Sequence, residues 1–138
     1  MRTLSLRILI ASLLLIGVSC EGILLNSNQD LSGEWQCKEI HEEDGNGTYY
    51  VDIEYANTDS SQIRVYNFMN LDNESLTSSR YIYASLSGYS LTIPRQQIED
   101  HTVQGNGTIN SSYTSIHLQF TDDLYGGEPW EVSATLTK

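Results

Sequence analysis

From Leu31 to Lys138, apolar and polar residues alternate in short runs, and no stretch carries a helical repeat. A period of two is the mark of strands that bury one face and solvate the other. The chain therefore reads as all-β. Leu31–Ile40 places Trp35 and Cys37 on one face and Glu34, Gln36 and Lys38 on the other. His41–Thr48, polar and containing Gly45 and Gly47, reads as a loop. Tyr49–Ala56 then sends Tyr49, Val51, Ile53 and Tyr55 inward and Tyr50, Asp52 and Glu54 outward.

Pairing rules extend this to register. A turn at Asn57–Ser61, leading into a strand over Gln62–Met69, sets Tyr55 opposite Ile63 and Ile53 opposite Val65. On the outer face Glu54 then meets Arg64, and Tyr50 meets Phe68. Both are favourable cross-strand pairs, and a slip of one residue would invert every side chain. Gly88-Tyr89 suits a type II′ turn that sets Leu86 against Leu91 and Ala84 against Ile93, with Pro94 at the strand end. Thr102–Asn110 and Ser115–Thr121, joined through Ser111–Thr114, align Ile109 with Ile116, Gly107 with Leu118 and Gly105 with Phe120. Glycines facing bulky side chains predict a strongly bent strand. Trp130–Thr137 is the last strand, with Trp130, Val132, Ala134 and Leu136 inward. About eight short antiparallel strands joined by tight turns predict an up-and-down barrel, because closure removes exposed edges. An immunoglobulin-like sandwich is the alternative, and it requires long crossovers.

The chain has 138 residues, enough for one such domain, preceded by a segment of different character. Met1–Arg7 is basic and Ile8–Val18 is apolar, too short to span about 30 Å of hydrocarbon but suited to a signal peptide. Gly17-Val18-Ser19-Cys20 resembles a bacterial lipobox, which implies cleavage after residue 19 and lipidation of Cys20. Ordinary secretory cleavage nearby is the alternative. Residues 20–30 then form a lipid anchor and polar tether, reaching roughly 35 Å when extended, and 31–138 form the barrel. With Cys20 lipidated, Cys37 has no disulfide partner and reads as a buried, inert thiol. The formal charge is −11, from 18 acidic and 7 basic residues, and losing Arg2 and Arg7 with the leader makes it more acidic still. So acidic a surface repels phosphate backbones, and no nucleic-acid partner is expected.

Four segments carry a family resemblance. Arg64-Val65-Tyr66-Asn67-Phe68, Ser90-Leu91-Thr92-Ile93-Pro94 with Gln96-Gln97, Val103-Gln104-Gly105-Asn106-Gly107-Thr108-Ile109, and Val132–Lys138 resemble the calycin-like (lipocalin-like) β-barrel lipoproteins of Bacteroidota-type bacteria. The resemblance covers nearly the whole mature domain. It implies a barrel, a lipid anchor and an outer-membrane location, on the periplasmic or the surface-exposed face, and it carries no established activity or functional residues.

Catalytic and metal motifs are not found. His41 and His101 fall in expected loops and His117 faces outward on a strand, none at ligand spacing. There is no G-x-S-x-G, and Gly45-Asn46-Gly47 and Gly105-Asn106-Gly107 do not open helices as phosphate loops do. Glu42-Glu43-Asp44-Gly45-Asn46-Gly47 is similar to a calcium loop in placing Asp44 and Asn46 two apart, but it lacks the distal bidentate Glu. Asp122-Asp123-Leu124-Tyr125-Gly126-Gly127-Glu128 reads as a second acidic loop. The Asn-x-Ser/Thr sites at Asn46, Asn73, Asn106 and Asn110 read as incidental beside a bacterial lipobox. No enzyme, metal or cofactor is expected.

Binding is left to two surfaces. The interior suggests a carrier of a small hydrophobic ligand, but its large side chains, among them Trp35, Tyr49, Tyr55, Phe120 and Trp130, favour a filled core. The predicted registers turn Tyr50, Tyr66, Phe68, Tyr81 and Tyr83 outward as one aromatic patch, suited to a protein or glycan partner. The expectation is thus a lipid-anchored, non-enzymatic envelope protein with an accessory binding role. A hydrophobic-ligand carrier and a small-barrel enzyme inhibitor are the alternatives.

Overall fold

A computed structural model describes residues 30–41, 45–71 and 80–138. The leader, Cys20 and most of the tether lie outside the described residues, as do Glu42, Glu43, Asp44 and Asn73. The strands are β1 (Gly33–His41), β2 (Gly45–Tyr55), β3 (Gln62–Tyr66), β4 (Tyr81–Ser87), β5 (Ser90–Ile98), β6 (His101–Ile109), β7 (Ser115–Leu124) and β8 (Trp130–Thr137). They form a closed antiparallel barrel in chain order. Closure comes from β8 pairing with β1, from Gln36↔Thr137 to His41↔Val132. Every strand thus pairs with its sequence neighbours and no crossover exists among them, which rules for the barrel over the sandwich.

The expected registers hold through most of the β2–β3 and β6–β7 hairpins, but the expected Tyr50–Phe68 pair does not form, because the β2–β3 ladder ends at Asp52↔Tyr66. Tyr55 meets Ile63, Ile53 meets Val65 and Glu54 meets Arg64. Gly105, Gly107 and Ile109 meet Phe120, Leu118 and Ile116. The two glycines are sterically required. A Cβ on Gly105 would collide with the Gln119 carbonyl oxygen and stand 2.5 Å from Phe120 Cβ, and one on Gly107 would stand 2.5 Å from Leu118 Cδ2. Gly88 has φ +58°, as the first position of a type II′ turn demands.

Four expectations are corrected. The loop set at His41–Thr48 is much shorter, since the β1–β2 ladder runs out to His41↔Gly45, with Gly45 at φ +86°. β3 ends at Tyr66 instead of Met69. Asn67 turns left-handed (φ 55°), its Nδ2 donating to the Tyr50 carbonyl at 2.7 Å, and Phe68 opens a 3-10 turn through Asn70. Asn tolerates that conformation, and the reversal drives Phe68 inward, where it stacks 4.9 Å from Phe120. Pro94 lies inside β5, not at its end. Lacking an N–H, it forces one extra residue between Ile93↔Gly105 and Gln96↔Val103, and the β4–β5 ladder stops at Ser85↔Thr92, short of the expected Ala84–Ile93 pair. The Gln96 amide replaces the lost backbone partner, accepting from Tyr83 N–H at 2.8 Å and donating to Tyr83 O at 2.7 Å. Finally, Asp122 and Asp123 are in β7, not in a loop.

The interior is filled. Trp35, Ile53, Ile63, Ile82, Val103 and Ile116 have no exposed surface. Trp35 plugs the end where the chain enters, its Nε1 donating to Leu31 O at 2.8 Å and its ring lying 5.4 Å from Lys138 Nζ. Tyr55 is only half-buried because its hydroxyl accepts from Leu31 N–H at that rim. Trp130, expected inward, is 37% exposed at the opposite rim, one step beyond Val132. The central cavity, bounded by Phe68, Ile82, Leu91, Ile116, Leu118 and Leu136 among others, is about 10 Å³. That is room for about one water molecule, far below the several hundred Å³ of an ordinary ligand pocket.

Candidate functional site

Two groups of polar and aromatic side chains stand out, one on the outer face of β1–β4 and one inside the far rim. The outer group is a grid fixed by register. One row runs Glu34, Asp52, Tyr66, Tyr81 across β1 to β4, and the next runs Glu54, Arg64, Tyr83 across β2 to β4. Gln36 and Tyr50 extend it on β1 and β2, with Gln36 Nε2 donating to the Tyr50 hydroxyl at 3.3 Å.

Strand spacing brings these rings into contact. Tyr66 and Tyr81 pack edge-on with centroids 5.2 Å apart, and Tyr81 and Tyr83 do so at 5.1 Å, their hydroxyls 3.2 Å apart. Arg64 lays its guanidinium over both Tyr81 and Tyr83, 5.3 Å from the Tyr81 centroid and 5.9 Å from that of Tyr83. It therefore forms cation–π contacts although Glu54 is its cross-strand neighbour, and Glu54 instead accepts from the Tyr66 hydroxyl at 3.1 Å. Tyr50 is 51% exposed and Tyr83 39%, while Tyr66 and Tyr81 are half-buried by their neighbours. Partial burial, and then the charges of Glu54 and Glu34, push the Asp52 carboxyl above its ordinary range. Hydrogen bonding from the Tyr81 hydroxyl, and then from the Arg64 guanidinium, pulls Tyr83 down.

Four of the five expected patch residues, Tyr50, Tyr66, Tyr81 and Tyr83, do share this outer face. Phe68 does not, because β3 breaks at Asn67 before the alternation reaches it.

The inner group lies beyond what the sequence led one to expect. Continuing the inward phase of Trp35 and Cys37 along β1 leads to Glu39 and His41, and that of Leu118 and Phe120 along β7 leads to Asp122. Glu39 and Asp122 are both 2% exposed. Glu39 Oε2 accepts from the Tyr49 hydroxyl at 2.6 Å, and its Oε1 lies 3.1 Å from His41 Nε2. Asp122 places both oxygens 2.9 Å from His101 Nδ1. Burial pushes the Glu39 carboxyl up, against the Tyr49 hydrogen bond and the His41 charge that favour its ionised form. Burial likewise raises Tyr49 and pushes the Cys37 thiol up to about 11, which leaves it protonated and unreactive near neutrality.

His41 and His101, expected as solvated loop residues, are thus strand residues paired with buried carboxylates. His117 is where it was expected, on the outward face of β7, with Nδ1 3.1 Å from Thr135 Oγ1. Among the described residues no three His, Cys, Asp or Glu side chains are grouped so as to hold a metal ion. The inner group has the character of a structural network, since each buried carboxylate has its own histidine.

The chain matches no family model and no curated protein. What stands is an eight-stranded antiparallel barrel compatible with a calycin-like fold.

Proposed function

We propose that this chain is a lipid-anchored, non-enzymatic binding module of a bacterial envelope, of the lipocalin-like lipoprotein kind found in Bacteroidota-type bacteria, which engages its partner through the outer tyrosine face. The observation that carries this reading is the packed Tyr66–Tyr81–Tyr83 ladder with Tyr50 exposed beside it. Pre-packed tyrosines offer large contact area with little conformational entropy left to lose, which suits them to recognition. The filled interior favours binding on the outside over carriage within. The tether from Cys20 would hold that face near a membrane.

Site-specific cross-linking in the producing cell tests the reading. A photo-reactive residue in place of Tyr83 should capture a defined partner, and one in place of Gln119, exposed on the opposite wall in β7, should not. Equal capture at both positions, or none at Tyr83, would overturn it. The anchor has its own test: Cys20→Ala should move the chain from the membrane fraction to the soluble one.

A further inference from the structure

The chemistry of the tyrosine face points to the class of partner, and this inference rests on the reading just given. Glu34 and Asp52 are directly opposed across β1 and β2, and Glu54 follows two residues on. Like charges directly opposite one another destabilise a sheet. Among the described residues, the ion pairs are His41–Glu39, Arg80–Glu99 and His101–Asp122, so none of these three carboxylates is in one. Arg64, the cation nearest to them in the grid, is committed to the Tyr81 and Tyr83 rings. The face therefore combines three carboxylates outside any of these ion pairs, Glu54 alone hydrogen-bonded to the Tyr66 hydroxyl, with aromatic rings that already hold one guanidinium, on a chain of net charge −11.

We propose that the face of β1–β4 docks a basic segment of a partner protein, whose Lys or Arg side chains seat between the Glu34–Asp52–Glu54 carboxylates and the Tyr50 and Tyr66 rings. A cation placed there relieves the carboxylate repulsion and gains ring contacts of the kind Arg64 makes. A neutral glycan would stack on the rings but leave the repulsion in place. An anionic partner would add to it.

The test uses the full chain in detergent micelles, titrated calorimetrically with an oligolysine peptide, a Gly/Ser peptide of equal length and a neutral chitin oligosaccharide. Oligolysine should bind and the Gly/Ser peptide should not. The triple variant Glu34→Gln/Asp52→Asn/Glu54→Gln should weaken that binding by about tenfold, as expected when three exposed charges are neutralised together. The control Asp100→Asn/Glu128→Gln/Glu131→Gln removes the same charge elsewhere and should change it less than about twofold. An unchanged thermal midpoint, or a raised one, verifies that the first variant is folded. Equal weakening by both variants would show attraction by net charge alone and overturn the inference. Absence of oligolysine binding also overturns it. If the oligosaccharide then binds and Tyr66→Ala/Tyr83→Ala abolishes that binding, the tyrosine-face reading survives with a glycan partner. If cross-linking at Tyr83 fails too, both readings fall.

Discussion

Glu39 and Asp122 sit inside the barrel wall, each within 3.1 Å of a histidine, whereas Glu34 and Asp52 stand side by side on the outer wall, in no ion pair among the described residues. The difference follows from the solvent each pair meets. Inside, where the effective dielectric is low, an unpaired carboxylate costs several kcal/mol, so hydrogen bonds and ion pairs accompany every buried charge. Outside, water and salt screen the repulsion to a fraction of that, so crowded charge is tolerated and remains able to meet a partner. The inner carboxylates are held by partners inside the wall, and the outer ones slightly strain it.

Breaking an inner pair should have the largest effect. Asp122→Ala leaves His101 facing a buried gap, and about 3–5 kcal/mol of stability should be lost in chemical denaturation. A loss below about 1 kcal/mol would mean the pair is solvated and the contrast between walls is false.

Packing should show the same asymmetry at smaller scale. Gly105→Ala must displace the Gln119 carbonyl and Phe120, and should cost about 1–3 kcal/mol. Ser85→Val, exposed on the outer face of β4, should change stability by less than about 0.5 kcal/mol.

Protonation separates the walls by pH. The folded Glu39 carboxyl keeps its proton to higher pH than the unfolded one, so the folded state binds more protons in the interval between the two values. Its contribution is therefore most favourable below the ordinary glutamate range and is lost as pH rises through the folded value. The stability difference between the wild-type chain and Glu39→Gln should fall as pH rises above about 4.3, with a slope of at most about 1.4 kcal/mol per pH unit. A difference flat between about pH 4 and 8 would remove burial as the dominant influence on Glu39.

The smallest of the charge effects should have the opposite sign. Glu34→Gln relieves the repulsion with Asp52 and should stabilise the barrel by about 0.2–1 kcal/mol, fading as salt is added. Destabilisation would mean that Glu34 has a favourable partner and would weaken the case for a cationic ligand.

Alternation and turn chemistry make most of the barrel legible in advance. Strand type, the β2–β3 and β6–β7 registers, the glycines facing Leu118 and Phe120, and four of the five patch aromatics follow from a period of two, because one residue of slip would invert both faces. The same periodicity runs on through Glu39, His41 and Asp122, but charge ordinarily signals solvent, so nothing local marks these three as inward. Only the closed barrel places Tyr49 and His41 against Glu39 and His101 against Asp122, partners that lie on other strands or beyond the expected strand end. Phe68 and Pro94 are decided the same way. The left-handed turn at Asn67 and the extra residue after Ile93 depend on hydrogen bonds that Tyr50 and Tyr83 complete from neighbouring strands. A sequence determines which residues prefer water, over short range and one at a time. Which polar groups can leave water is settled only when the folded neighbours supply the hydrogen bonds that replace it.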